Sequence, residues 1–325
     1  MIISLFLPHV GVFGGVRRFL ELGNAWSAMG HGVTLFHPEG APPRWLPFAG
    51  EVRRLADAAG GACDLAVCGD ARTFDAFLGH RAVRHLYYCV IEGDPALPRA
   101  AGHAHLRLAA NSGALLQALE RRVDRPVLDG RGGINLYQFR PDPGQRAQAP
   151  LRVLLNGRRS RPKKGTDLLL AALRGLEGHV PPFEIVLFDT LGPENRQDPR
   201  DGLRLPRNAR FFLGPTQEEL TRLYQSAHVF AAAERKAGWC NTALEAMACG
   251  AAVVCTPSGT ADFAHHQETA LVVPLRHAWF LRRALRRALT DGGLRETLGA
   301  RGAAAAVPWS WEGLATRLLE QVIRN

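Results

Sequence analysis

The chain has 325 residues, 46% of them hydrophobic and 22% charged, which is too long for one ordinary core and fits two domains of roughly 150 residues each. That balance is ordinary for folded protein and excludes a chain dominated by disorder. The formal charge of +10 comes almost wholly from arginine, the only lysines being Lys163, Lys164 and Lys236; it suits an anionic partner such as a phosphorylated small molecule or an anionic membrane surface. Nucleic acid is not expected, because the basic residues are dispersed and no zinc-finger spacing, aromatic RNA-binding signature or basic heptad occurs.

The first element is the apolar run 2–7, followed by a loop bearing Gly11, Gly14 and Gly15. Val16, Phe19, Leu20, Gly23 and Trp26 then recur at helical spacing. Glycines between a strand and a helix let backbone N–H groups approach a phosphate closely, although a tight turn alone explains them equally well. No stretch reaches the roughly 18 apolar residues of a membrane span, and the first residues lack a basic start and a cleavage site. A cytoplasmic location is therefore expected. Further strands are predicted at 33–36, 64–69, 84–90 and 106–110 with helical or turn-rich pieces between, the alternation of a Rossmann-like half. The fourth of these five strands runs into Ile91, Glu92, Gly93, Asp94 and Pro95, where ligands usually bind. Asp94 and Pro95 also read as a helix start, and Asn111 with Ser112 reads as a cap for a helix over 113–122.

Gly and Pro gather from Gly132 to Pro150, where periodicity is lost; this is the expected linker. It divides the chain into a domain over 1–145, a second over 146–308 and a terminal helix over 309–325, whose docking side the pattern does not fix. After the linker a strand at 151–156 leads into a loop with five cations in seven residues: Arg158, Arg159, Arg161, Lys163 and Lys164. This loop precedes a helix over 166–176, a position where cations and helix N–H groups meet a phosphate. Strands follow at 184–188 and 210–213, then a helix over 217–225. Next comes a strand–loop–helix–strand unit: 228–233, the loop 234–241, a short helix carrying Glu245 and ending at Gly250, and the strand 251–255. A last strand is expected at 270–273. The helix over 279–289 sets Leu281, Leu285 and Leu289 against Arg282, Arg283, Arg286 and Arg287; it reads as a packed surface helix, with a peripheral contact to an anionic membrane as the alternative. The six cysteines form no C-x-x-C pair and lie mostly in apolar runs, as reduced core residues do.

Together these pieces resemble the GT-B glycosyltransferases, specifically the retaining family 4 group, over nearly the whole chain. The resemblance rests on Leu244 to Val254, the Arg158 to Gly165 loop, Phe212 to Gly214 with Leu223 and Tyr224, Gly133 to Pro141, and Gly14 with Gly15. The run Tyr87 to Glu92 is similar to a segment of rhamnosyl-type members. The resemblance implies an α/β fold of two Rossmann-like domains with parallel sheets facing across a cleft. It implies transfer of a hexosyl or deoxyhexosyl unit from a nucleotide diphosphate sugar to a glycan, lipid-linked or small-molecule acceptor, with retention and without metal or other cofactor. Arg158 and Lys164 would stabilise the leaving diphosphate, helped by the loop and helix start at Gly238, Trp239, Asn241 and Thr242. Glu245 would accept from the ribose hydroxyls, and Gly14 and Gly15 would approach the diphosphate or acceptor. His85 and Glu92 are further candidates for an acceptor or sugar contact, with a structural histidine and a solvated carboxylate as the alternatives.

One position departs from the family pattern of two glutamates with seven residues between them: counting back from Glu245, the first falls on Ala237. The change points to a different donor sugar, to Glu234 reaching the same space, or to a non-catalytic nucleotide-sugar-binding partner of a glycan assembly complex. An epimerase or a phosphorylase on the same fold is the remaining alternative.

Overall fold

The computed structural model describes residues 1–91, 93–146, 150–159, 161–190 and 198–324. They form two compact units, Met1–Gly133 with Trp309–Asn325, and Ile134–Pro308.

The first unit is built on a seven-stranded sheet: β1 (Ile2–Phe6), β2 (Gly32–His37), β3 (Glu51–Arg54), β4 (Ala62–Cys68), β5 (Arg81–Cys89), β6 (Arg107–Ala110) and β7 (Val127–Asp129). Their order is β3-β2-β1-β4-β5-β6-β7, with every pairing parallel. Parallel strands need crossovers, supplied in part by α1 (Gly14–Ala28), α2 (Phe74–Gly79), α3 (Leu97–Gly102) and α4 (Gly113–Glu120). Both faces of the sheet are covered, which is why its central strands are largely apolar toward their carboxyl ends. Because successive side chains point to opposite faces, Ile3 and Leu5 of β1 join Leu20, Trp26 and Leu318 on one side. Phe6 joins Phe36, Phe77 and Tyr87 on the other. Two strands, β3 and β7, were not visible as apolar runs; they are short edges of the sheet, and β3 is half basic. Ser112 caps α4 by accepting from the Leu115 N–H at 3.3 Å.

The C-terminal helix (Trp311–Arg324) docks on this unit. Leu314, Leu318 and Val322, spaced four apart, are fully buried against α1 and the sheet. Trp26 Nε1 donates to the Ala315 carbonyl at 3.1 Å, and Gln321 accepts from the Asp129 N–H at 2.8 Å. The chain leaves the unit at Gly133, earlier than the 145/146 division that composition suggested. Residues 134–146 carry no strand or α-helix, only a 3₁₀ turn at Pro143–Gln145, yet are held by the second unit. Phe139 meets Tyr224 edge-on at 5.7 Å, Gln138 donates to Thr221 at 3.0 Å and Arg146 to the Cys249 carbonyl at 3.1 Å. Glycine and proline marked irregular backbone there, which is a different property from a boundary.

The second unit repeats the plan with six strands: β8 (Leu151–Asn156), β9 (Phe183–Asp189), β10 (Ala209–Leu213), β11 (Val229–Ala232), β12 (Ala252–Cys255) and β13 (Leu271–Val272). The order is β10-β9-β8-β11-β12-β13, again all parallel. Its helices are α5 (Thr166–Arg174), α6 (Gln217–Ser226), α7 (Asn241–Ala248), α8 (Ala278–Thr290) and α9 (Gly292–Ala306). Thr216 and Glu219 close a capping box on α6. Helix α9 had no periodic signal, being rich in Gly and Ala. Both sheets reverse strand order once, between β1 and β4 and between β8 and β11. Open α/β sheets bind ligands outside the carboxyl ends of strands at such a reversal.

Candidate functional site

At the β8/β11 reversal the carboxyl ends of four strands present charged and polar groups. The loop after β8 turns through a 3₁₀ segment, Pro162–Lys164, into α5. Gly165 makes the corner at φ +76°, and a Cβ there would stand 2.6 Å from the Ala233 carbonyl oxygen. Only glycine fits so close a backbone approach. The contact fixes Lys164 beside the residue that follows Ala233, and Lys164 Nζ donates to Glu234 Oε1 at 2.6 Å. Arg276 secures the same corner, donating to the Ala233 carbonyl at 2.7 Å and to that of Pro162 at 2.9 Å. The Arg235 N–H adds a bond to the Lys163 carbonyl at 2.9 Å.

Arg158 lies on the other side of β8. Its Nε donates to Asp189 Oδ1, at the end of β9, at 2.9 Å, and its guanidinium also reaches the Thr190 carbonyl at 3.1 Å. Each cation is thus held by a buried carboxylate. Among the described residues, Glu234 Oε2 and Asp189 Oδ2 are buried without a hydrogen-bond partner. Native structures rarely leave such oxygens unmatched, so they mark where donors from a bound molecule would be accepted. Burial pushes the Asp189 carboxyl above its usual range, with Arg158 acting against it; burial and the neighbouring Lys164 and Arg161 charges pull the Lys163 ammonium down.

The loop 234–241 and α7 complete the group. Lys236 sits at φ 57°, a conformation that costs a side-chain-bearing residue about 1 kcal/mol or more. The Ala237 N–H donates to Ser258 Oγ at 2.9 Å, Cys240 N–H to the Gly259 carbonyl at 2.8 Å and Thr256 Oγ1 to the Glu234 carbonyl at 2.8 Å. Gly238 and Trp239 lead into the helix, and Trp239 packs on Phe263 at 5.1 Å. Asn241 and Thr242 form the first turn of α7, whose start carries no side-chain cap, leaving backbone N–H groups for a ligand. Cys240 is no nucleophile: burial, with Glu234 nearby, pushes its thiol up to about 12. One turn further along α7, Glu245 is buried with Oε2 accepting from Tyr224 Oη at 2.7 Å.

Eight of the sequence-derived candidates, Arg158, Lys164, Glu234, Gly238, Trp239, Asn241, Thr242 and Glu245, therefore lie on the elements surrounding this one strand reversal. The other candidates belong to the first unit. Gly14 and Gly15 open α1 in the first unit, where a Cβ on Gly15 would meet Phe13 at 3.7 Å and Val90 at 3.9 Å. His85 sits in the middle of β5, away from the strand end. Its Nε2 is 3.0 Å from the His80 carbonyl and its ring meets Phe77 edge-on at 5.0 Å. Glu92 lies outside the described residues. Three contributors had escaped sequence reasoning: Asp189, Arg276 and Tyr224 as the partner of Glu245. Asp189 left a signal as the carboxylate that ends a mostly apolar strand, and Tyr224 as one of the motif residues that carry the resemblance.

Residues 144–305 match the family model described as glycosyl transferases group 1. The chain is 29% identical over 206 residues to a GDP-mannose-dependent alpha-(1-6)-phosphatidylinositol monomannoside mannosyltransferase of Mycobacterium tuberculosis, covering 58% of this chain and 53% of that protein. It is 28% identical over 211 residues to a D-inositol 3-phosphate glycosyltransferase of Salinispora arenicola, covering 58% and 47%. The matched region thus spans about half the length of these curated relatives. Among solved structures, sucrose-phosphate synthase from Thermosynechococcus elongatus superposes with a TM-score of 0.80 at 19% identity, over 99% of this chain and 98% of that one. Anabaena HepE in complex with UDP and glucose does so with 0.78 at 14% identity, over the full length of both. At such identities these two likenesses concern the fold.

Proposed function

We propose that this chain, which carries a glycosyl transferases group 1 domain and has the GT-B fold, transfers a sugar from a nucleotide diphosphate sugar to a glycan, lipid-linked or small-molecule acceptor. The observation that carries the reading is the pair Arg158 and Lys164, held by Asp189 and Glu234 beside the open N-terminus of α7. A diphosphate leaving group needs its growing negative charge stabilised in place. Two fixed cations and a helix N-terminus do so without reorganising at the moment of reaction. The relative dependent on GDP-mannose and the fold neighbour complexed with UDP support a nucleotide-bearing donor.

In this reading Lys164 bridges the donor diphosphate and Glu234, and Arg158 approaches the same phosphates from the β9 side. Glu245, steadied by Tyr224, accepts from the ribose hydroxyls. Glu234 offers its unpartnered Oε2 to the hydroxyls of the transferred sugar, in place of the carboxylate that Ala237 lacks. Transfer proceeds with retention: the leaving phosphate oxygen takes the acceptor proton as the new bond forms on the same face, so the protein positions groups rather than supplying a nucleophile. Since the two cations carry the charge, no metal ion is required. The cytoplasm is assigned as the compartment, in keeping with six free, buried cysteines.

The test is transfer from a panel of UDP-, GDP-, ADP- and dTDP-sugars to acceptors, with and without chelator, and with anomeric analysis of the product by NMR. Retained configuration and undiminished turnover under chelation are expected. A folded protein that neither binds any of these nucleotides nor transfers from any donor would remove the reading.

A further inference from the structure

The outer edge of α8 carries a second concentration of positive charge, well apart in sequence from the residues assigned to the donor. A surface hollow of about 430 Å³ lies between the end of α5 and α8, lined by Gly175, Leu176, His179, Trp279 and Arg282, with Arg283 and Arg286 completing it. Among the described residues no carboxylate lines it. Some arginines elsewhere lie against carboxylates, as in Arg158–Asp189, Arg99–Asp75 and Arg152–Glu184. Arg282, Arg283, Arg286 and Arg287 have no carboxylate within ion-pair distance among the described residues.

The hollow depends on a missing side chain. A Cβ on Gly175 would stand 2.4 Å from Arg282 Cζ, so glycine lets that guanidinium lie down against the end of α5. Arg283 sits over the Trp279 ring at 5.8 Å. Trp279 is 54% exposed and Leu275, just before the helix, 60% exposed. The apolar stripe of α8 is not available to a membrane, because Leu281, Leu285, Ala288 and Leu289 are buried in the core of the unit. What faces outward is a basic row flanked by one exposed tryptophan and one exposed leucine. A free phosphate would use the arginines but has no call on Trp279 or Leu275; the interface of an anionic bilayer uses both, because tryptophan settles at headgroup depth and unpaired arginines meet lipid phosphates.

We propose that this face of α8 docks on an anionic lipid bilayer, with a headgroup phosphate in the Arg282–Arg283–Arg286 hollow and Trp279 at the interface. No helix among the described residues is long and apolar enough to cross a membrane, and this contact is peripheral. It is independent of the donor reading and is measured without nucleotide.

The full chain is floated with phosphatidylcholine vesicles and with vesicles also containing phosphatidylglycerol. Binding to the anionic vesicles alone is expected, falling as ionic strength rises. The Arg283→Gln/Arg286→Gln variant should partition about 25-fold more weakly, roughly fivefold per arginine. Trp279→Ala should lose a further part of the binding that survives at high salt. Arg121→Gln/Arg122→Gln, an equal charge change on exposed residues of the first unit, should bind as the parent does. All these residues are exposed, and circular dichroism confirms that each variant folds. Equal binding to neutral vesicles, no binding to either, or an equal loss in the Arg121/Arg122 control would each overturn the proposal; competition by inorganic phosphate with no effect of Trp279→Ala would assign the hollow to a free anion instead.

Discussion

The two units share a strand plan and use buried charge in opposite ways. In the second, the cations Arg158 and Lys164 stand at strand ends, each leaning on a carboxylate that keeps one oxygen without a partner. In the first, Arg18 is buried within α1. It donates to Tyr88 Oη at 2.7 Å, approaches the Gly130 carbonyl at 3.5 Å and lies 5.4 Å from the Trp311 ring centroid. Its charge fastens the C-terminal helix to the sheet. One buried carboxylate of this unit, Glu21, pairs with Arg17 at 3.4 Å within α1; another, Asp94, has a phenol and a backbone N–H rather than a cation, accepting from Tyr87 Oη and from Ala96 N. One duplicated architecture thus spends charge on structure in one copy and leaves it available to a ligand in the other.

The sharpest way to break this contrast is Lys164→Ala. If Lys164 stabilises a leaving diphosphate, turnover should fall about 100- to 1,000-fold, as for loss of one fixed donor to a developing anion. The substitution also strands Glu234, so thermal stability should fall too. Lys164→Ala/Glu234→Gln separates the effects: it should regain melting temperature and not turnover. Recovery of both would make the pair merely structural. Arg18→Met is the counterpart, expected to lower stability by about 2 kcal/mol while leaving nucleotide affinity, measured by calorimetry, unchanged. A weakened nucleotide affinity in that variant would remove the division of labour.

Gly165→Ala should have a smaller effect on turnover; it costs about 1 to 2 kcal/mol of stability for forcing a side chain to φ +76° and more for the clash of its Cβ with the Ala233 carbonyl oxygen 2.6 Å away. Because the corner also sets Lys164 beside Glu234, the Michaelis constant for donor should rise, whereas Gly178→Ala, at φ +74° with nothing near its Cβ, should cost less stability, the φ strain alone, and leave donor kinetics alone.

Much of this was legible in the chain before any coordinates. Buried parallel strands are largely apolar, so β1, β8, β9, β11 and β12 stood out, and a basic loop between strand and helix announced its own location. The edge strand β3 did not, because Glu51, Arg53 and Arg54 face solvent and apolar patterning marks burial rather than strand. Composition and contacts divide the chain at different points for a related reason: residues 134–146 look like a linker by composition, while Phe139, Gln138 and Arg146 anchor them by contacts between residues distant in sequence. The same limit hides what Asp189 and Arg276 do. Each matters through a partner dozens of positions away, and no local window contains both ends of such a pair.

The smallest effect expected is a slope. Burial holds the Asp94 carboxyl above its usual range, and the Tyr87 hydrogen bond opposes the shift without cancelling it; burial and Asp94 in turn push the Tyr87 phenol up, keeping it protonated as donor. A carboxyl whose pKa is higher folded than unfolded binds more protons in the folded state. Its favourable contribution is therefore fully present below the unfolded value and is lost as pH rises through the folded one. Urea unfolding from pH 3 to 6 should show this as a falling stability of the parent relative to Asp94→Asn. Tyr87→Phe should steepen the fall, since removing the donor lets burial act unopposed by the phenol. Arg158→Met in the second unit should likewise raise the Asp189 carboxyl further, because the guanidinium now lowers it. If Asp94→Asn tracked the parent across the whole range, the cation-free carboxylate of the first unit would be no more strained than the paired ones of the second, and the contrast in how the two units treat buried charge would reduce to which side of the pair carries the ligand.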